Sequence, residues 1–131
     1  MAIRLGGQGD VTTSHVVWRS EKAMPYVPSP VLAGGLLHVI NDAGIYNCIE
    51  PSSGKVLKTV RRGGNGYSSP VVAAGRVYLF EDSGRCTVIA NDPTYTVLAI
   101  NELNEETQCT PAFVDGNMIV RSAHHLWCIG Q

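Results

Sequence analysis

The chain has 131 residues, 44% of them hydrophobic and 16% charged, with a formal net charge of -1. That length suits one domain with a real core, and the near-neutral balance gives nucleic acid or an anionic membrane nothing to hold. No apolar run nears the roughly 20 residues of a membrane helix, and the opening "MAIRLGGQGDVTTSH" has no signal-peptide stretch, so no export signal is expected here.

From the N-terminus, "AIRL" reads as the end of one strand and "HVVWR", from His15, as the next. The connector "SEKAMPYVP" follows, and then a pattern is written three times. Ser29-Pro30, Ser69-Pro70 and Thr110-Pro111 each open a short apolar run that ends at a glycine, Gly35, Gly75 or Gly116. A second run follows, "LLHVI", "RVYLF" or "NMIV", and a third, "GIYNCIE", "GRCTVIA" or "HHLWCIG". A fourth run is "KVLKTV" in the first copy and "TVLAI" in the second. The prolines are 40 and 41 residues apart. The runs are rich in Val, Ile, Leu and Tyr, glycine and Asn-Asp turns punctuate them, and no capped 3.6-residue period occurs, so no helix is expected. A four-stranded repeat of about 40 residues is the period of a β-propeller blade.

The predicted fold is therefore all-β, with antiparallel four-stranded propeller blades, about three to the chain. Its divisions are a lead-in strand and loop (1–28), two blades (29–68 and 69–109) and a partial blade (110–131). Neighbouring apolar residues in the third run, Cys48 with Ile49 and Val88 with Ile89, predict a strand dry on both faces, as between stacked blades. By alignment Cys128 and Ile129 join that core, and Cys86 shares a packing column with Tyr46 and Leu126. The Ser/Thr-Pro pair has a structural reading: proline keeps the preceding residue extended, and the hydroxyl satisfies a backbone group in a tight corner.

These blades resemble the pyrroloquinoline-quinone-like repeat propellers. "SSPVVAAGRVYLFEDSGRCTVIA", the Gly54-Lys55 turn of "PSSGKVLKTV" and the strand ending at Trp18 carry the resemblance, while "NDPTYTVLAI" departs from it by lacking the Gly-Lys turn. It spans nearly all of residues 2–130 and implies the propeller fold and a periplasmic or secreted parent. It does not fix a function, since the family holds enzymes, assembly factors and uncharacterised secreted proteins. Quinone-dependent members carry their cofactor over calcium held by carboxylates and amides, often beside adjacent cysteines. No two of Cys48, Cys86, Cys109 and Cys128 are adjacent. Three blades do not enclose an axial pocket, so neither cofactor nor catalysis is expected.

The remaining candidate sites have plainer readings. The cysteines form no C-x-x-C pair, which argues against zinc, and all four are expected to be free thiols. "LGGQGD" and "RRGGNGYSS" lack the helix that a dinucleotide loop opens. His124 and His125, read as strand neighbours, point to opposite faces. Ser29 and Ser69 are repeated features without a Gly-x-Ser-x-Gly elbow. Asn41-Asp42 and Glu81-Asp82 read as turn residues.

Recognition is best placed on the connectors "SEKAMPYVP", "RRGGNGYS" and "NELNEETQC", through Tyr26, Arg61, Arg62, Asn65, Tyr67 and Glu105. The expected function is a non-catalytic scaffold that binds protein or peptide. The alternative is one fragment of a larger quinone-dependent or carbohydrate-active propeller enzyme. The fourth strand spare at one end and missing at the other leads us to expect a head-to-tail homodimer that closes a six-bladed ring.

Overall fold

A computed structural model describes residues 1–21 and 24–130. Regular structure among them is all strand: β1 (Ala2–Ile3), β2 (Val16–Trp18), β3 (Val31–Ala33), β4 (Leu36–Ile40), β5 (Ile45–Ile49), β6 (Val56–Arg61), β7 (Val71–Ala73), β8 (Arg76–Phe80), β9 (Arg85–Ala90), β10 (Val97–Glu102), β11 (Ala112–Val114), β12 (Asn117–Arg121) and β13 (Leu126–Ile129). Each pairs antiparallel with its neighbour in sequence, giving sheets β3–β6, β7–β10 and β11–β13 and the lead-in pair β1–β2.

Local chemistry sets these meanders. The turns from first to second strand are two-residue hairpins with both φ angles positive, at Gly34-Gly35, Ala74-Gly75 and Asp115-Gly116. That twist matches paired strands and explains why glycine recurs at the second position. Gly44 and Gly84, before the third strands, recur for another reason. A Cβ there would overlap the carbonyl oxygen of Gly64 or of Glu105, so the following connector lies directly on the glycine.

One irregularity repeats three times. Ile49 lies opposite Val56 and Cys48 opposite Lys58, so a bulge skips Leu57. Ile89 faces Val97 and Val88 faces Ala99 in the same way. Ile3 faces Val16 and Ala2 faces Trp18. The lead-in pair is thus a third and fourth blade strand, bulge included.

The core lies between blades. Tyr46, Cys48, Val77, Leu79 and Ile89 form one buried cluster, and Phe80, Cys86, Val88 and Val120 another. In the second blade, alternation sends Val77 and Leu79 to one face and Phe80 to the other, each covered by a neighbouring blade. Each such side chain contributes about 1.5–3 kcal/mol. The third blade departs from expectation: Cys128 is exposed, and Ile129 and Leu126 keep 42% and 73% of their surface. Among the described residues β13 is an edge strand with no fourth strand beside it, so its repeat equivalence to β5 and β9 does not bring burial.

The Ser/Thr-Pro pairs stitch the inner strands together. The Ser29 N–H donates to Ser69 Oγ at 2.9 Å, and the Ser69 N–H to Thr110 Oγ1 at 3.0 Å. Each hydroxyl satisfies the backbone one blade back. The expected corner role is correct, and the group served belongs to another blade.

Candidate functional site

The connectors after each fourth strand and the turns between second and third strands meet on one face of the arc. Backbone bonds that repeat blade by blade fix them there. The N–H groups of Arg62 and Leu103 donate to the Gly44 and Gly84 carbonyls, those of Gly66 and Thr107 to Asp42 and Asp82, and those of Asp82 and Ala123 to Asn65 and Glu106. A loop held by three such bonds has a set shape, so the face is preorganised.

Of the six candidate residues, four reach solvent. Tyr26 is 94% exposed and Tyr67 43% exposed, and Arg61 and Asn65 are also exposed. Tyr26 is positioned from below: Asp42 accepts the N–H groups of Tyr26 and Val27 at 2.8 and 3.0 Å. Partial desolvation pushes the Asp42 pKa up, but these donors outweigh it and hold the carboxyl below its ordinary value.

Arg62 and Glu105 do something else. The Arg62 side chain is 2% exposed and pairs at 3.0 Å with Glu81, itself 8% exposed. Arg62 Nη2 also donates to the Leu79 carbonyl at 2.9 Å and to Thr87 Oγ1 at 3.3 Å. This arginine clamps the connector that follows the first blade into the second blade. Glu81, read from sequence as a turn residue, is the other half of that clamp. Glu105 accepts the His124 N–H and bonds His125 Nδ1 at 2.7 Å. Desolvation raises its pKa, while His125, Ser122 and the His124 N–H together lower it further. His124 and His125 precede β13 rather than lying in it, so they share one acidic partner instead of facing apart. Only these two histidine contacts give Glu105 away, and no local motif in the sequence marks them.

Between the second and third blades the face opens a cleft of about 310 Å³, lined by Asp82, Glu106, Thr107, Gln108, Arg121 and Ser122 among others. Asp82 Oδ1 is buried there without a protein partner, while Glu106 and Arg121 are exposed.

Elsewhere, buried His38 and Tyr46 form a titratable pair that reaches half-buried Asn91. His38 Nδ1 lies 2.6 Å from the Tyr46 hydroxyl and Nε2 lies 2.8 Å from Asn91 Oδ1. With the amide oxygen facing it, Nε2 carries the proton and Nδ1 accepts from tyrosine, which is a satisfied neutral ring. Burial lowers the His38 pKa more than Asn91 and Asp92 raise it, and burial drives the Tyr46 pKa up. His38 is fully buried, and the ring itself does not reach solvent. Among the described residues, no three His, Cys, Asp or Glu side chains converge as a metal site.

No protein-family model and no curated protein sequence matches the chain. Solved structures do match in shape. BamB from Moraxella catarrhalis superposes with a TM-score of 0.72 at 20% identity, covering 87% of this chain and 36% of that one. A quinohemoprotein alcohol dehydrogenase from Pseudomonas putida gives 0.66 at 11% identity, covering 81% of this chain and 18% of that one. A europium-containing methanol dehydrogenase gives 0.56 at 15% identity, covering 70% and 20%. The chain spans about a third of the BamB structure's length and about a fifth of each dehydrogenase's. At these identities the likeness is one of fold, and the fold is the β-propeller.

Proposed function

We propose that the chain is a propeller module of the pyrroloquinoline-quinone-like repeat type that binds protein or peptide through its connector face and does no chemistry there. One observation carries this reading. Asp42, Glu81 and Glu105, three of the acids on that face, are already engaged in holding connectors and blades together, which leaves Asp82 and Glu106 in the cleft. The exposed side chains on the connectors include Tyr26, Arg61, Asn65 and Tyr67, aromatic and polar anchors on a preorganised frame. Such side chains dominate binding energy at interfaces. The cleft beside Arg121 and Glu106 adds a seat for an extended segment.

The alternative is a fragment of a larger quinone-dependent or carbohydrate-active propeller enzyme, and likeness to the dehydrogenases favours it in fold. Three of the five carboxylates named on the connector face are not available to hold calcium under a quinone. The three carboxylates just named are committed to protein donors, and the four free thiols lie far apart in sequence.

The test is an array of extended peptides, probed with the wild-type chain and with a Tyr26→Ala/Arg61→Ala/Tyr67→Ala variant. Binding that falls at least tenfold in the variant, about 1.4 kcal/mol, with an unchanged melting curve, supports the proposal. Binding that survives the triple change, or a new absorbance band on titration with quinone and calcium, overturns it.

A further inference from the structure

The outer rims of the two whole blades are not alike. β6 and β10 are their fourth strands, each last in its sheet, with backbone groups open along the rim. Such an edge is a template for another strand unless something guards it, and lysine is a common guard. β6 is guarded. Lys58 and Arg61 are exposed on it and Lys55 just before it, and the Thr59 hydroxyl donates to Asn47 Oδ1 at 2.7 Å. β10 is not. All six of its residues are exposed, none is basic, and Glu102 at its end is the one charge.

Register shows where each group of β10 points. Val97 lies opposite Ile89 and Ile100 opposite Thr87, and residues directly opposite share a face. Ile89 packs with Tyr46, and Thr87 accepts from Arg62, so Val97 and Ile100 turn toward the first blade. There β6 is in place, yet Val97 keeps 47% of its surface and Ile100 51%. The backbone is also poised. The Leu103 N–H donates to the Gly84 carbonyl, and alternation from there turns Asn101 toward β9 and the N–H and C=O of Ile100 outward.

We infer that β10 pairs with β10 of a second copy of this chain, antiparallel about a two-fold axis through Ile100. The strand is complementary to itself. At that register the two Ile100 residues exchange both backbone bonds and set their side chains together on one face, and such an isologous contact closes at two copies. The two Glu102 carboxylates then lie on the order of 13 Å apart along the strands, beyond the roughly 8–10 Å screening length of ordinary salt. The same operation on β6, about Thr59, would bring the two Lys58 ammoniums to diagonal positions on one face, with Cα atoms about 7–8 Å apart. Pairing β6 of one copy with β10 of another would set Ile100 against Thr59, and it would run on as an open chain because each copy keeps a free edge. Val97 and Ile100 lie on the rim rather than among the connectors, so this association and binding at the connector face are separable.

Sedimentation equilibrium from micromolar to hundreds of micromolar should show the chain in concentration-dependent exchange with a species of twice its 14.1 kDa mass, and nothing larger. Ile100→Lys should weaken that dimer about tenfold or more, because it sets like charges face to face. Val56→Lys, at the place on β6 equivalent to Val97, should leave it unchanged. Both side chains are exposed, and circular dichroism at low concentration checks that each variant stays folded. A hydrogen-bonded antiparallel pair holds its Cα atoms about 5.5 Å apart, within disulfide reach. Ile100→Cys in a Cys128→Ser background should therefore oxidise to a dimer that peptide mapping joins through position 100 of both copies, and Val56→Cys should not. A monomer throughout that range, species larger than the dimer, a dimer without the link at position 100, or a dimer that Ile100→Lys does not weaken would each overturn the pairing.

Discussion

Arg61 and Arg62 are adjacent in sequence, and alanine should have opposite consequences at the two positions. Arg61 is exposed and, among the described residues, in no ion pair, so Arg61→Ala should change stability by no more than about 0.5 kcal/mol. Arg62 pairs with Glu81 at 3.0 Å, with side-chain exposures of 2% and 8%. At that separation and an effective dielectric of about 20, the attraction is roughly 5 kcal/mol before desolvation is counted. Removing the arginine strands a buried carboxylate and two acceptors, the Leu79 carbonyl and Thr87 Oγ1, and breaking such a pair costs about 3–5 kcal/mol. For a chain of this size that lowers the Tm by about 10–20 °C. Urea unfolding of Arg62→Ala, Glu81→Leu and Arg62→Met/Glu81→Leu forms the check. The double variant should be more stable than Arg62→Ala, because an apolar pair leaves no charge stranded. If Arg62→Ala costs under 1 kcal/mol, or the two sites add independently, Arg62 is no clamp and returns to the list of recognition residues.

Val88→Asp should abolish folding, since Val88 is buried between the second and third blades and an unpaired charge would enter a dry interface; Tyr67→Ala should melt like wild type, and both are read by circular dichroism. Stability should fall as pH drops from about 6.5 toward 5. The folded pKa of His38 is depressed by burial, so the unfolded chain binds the proton first and protonation favours unfolding. Depressed carboxylates such as Asp42 and Glu105 lose their contribution only at lower pH, and His38→Phe should flatten the slope between pH 5 and 6.5 measured by urea titration. Thiol titration without reductant should count four in denaturant, with Cys128 reacting first in the native protein, Cys109 next, and Cys48 and Cys86 last. Burial pushes the Cys86 thiol up to about 11, and a native count of four fast thiols would contradict the blade packing.

How much was legible in the sequence depends on the range of the interaction. The repeat of Ser/Thr-Pro, paired turn residues and apolar runs determined strand number, strand order and the stacking of blades, because hairpin turns and period-two burial are encoded within a few residues. Gly35, Gly75 and Gly116 mark turns that need positive φ, and the dry third strands follow from adjacent apolar pairs such as Cys48-Ile49. Burial at the third copy was not legible. Cys128 and Ile129 repeat the core letters of Cys48 and Ile49, but burial requires a neighbour on each face, and only the tertiary arrangement shows that β13 is an edge. Arg62 and Glu105 were likewise beyond reach of pattern. Their partners Glu81 and His125 lie 19 and 20 residues away, on the next blade, and no local spacing rule joins a connector arginine to a turn glutamate across a blade interface. Tyr95 shows the same limit: its sequence marks the loss of a Gly-Lys turn, while the structure shows its ring filling an interface where Lys58 holds the place that Trp18 holds one blade earlier. The sequence by itself determined the blades, because their making is local. Which side chains face solvent and which clamp one blade to the next was decided only by the tertiary structure, because desolvation and ion pairing depend on what the chain brings back from far along its length.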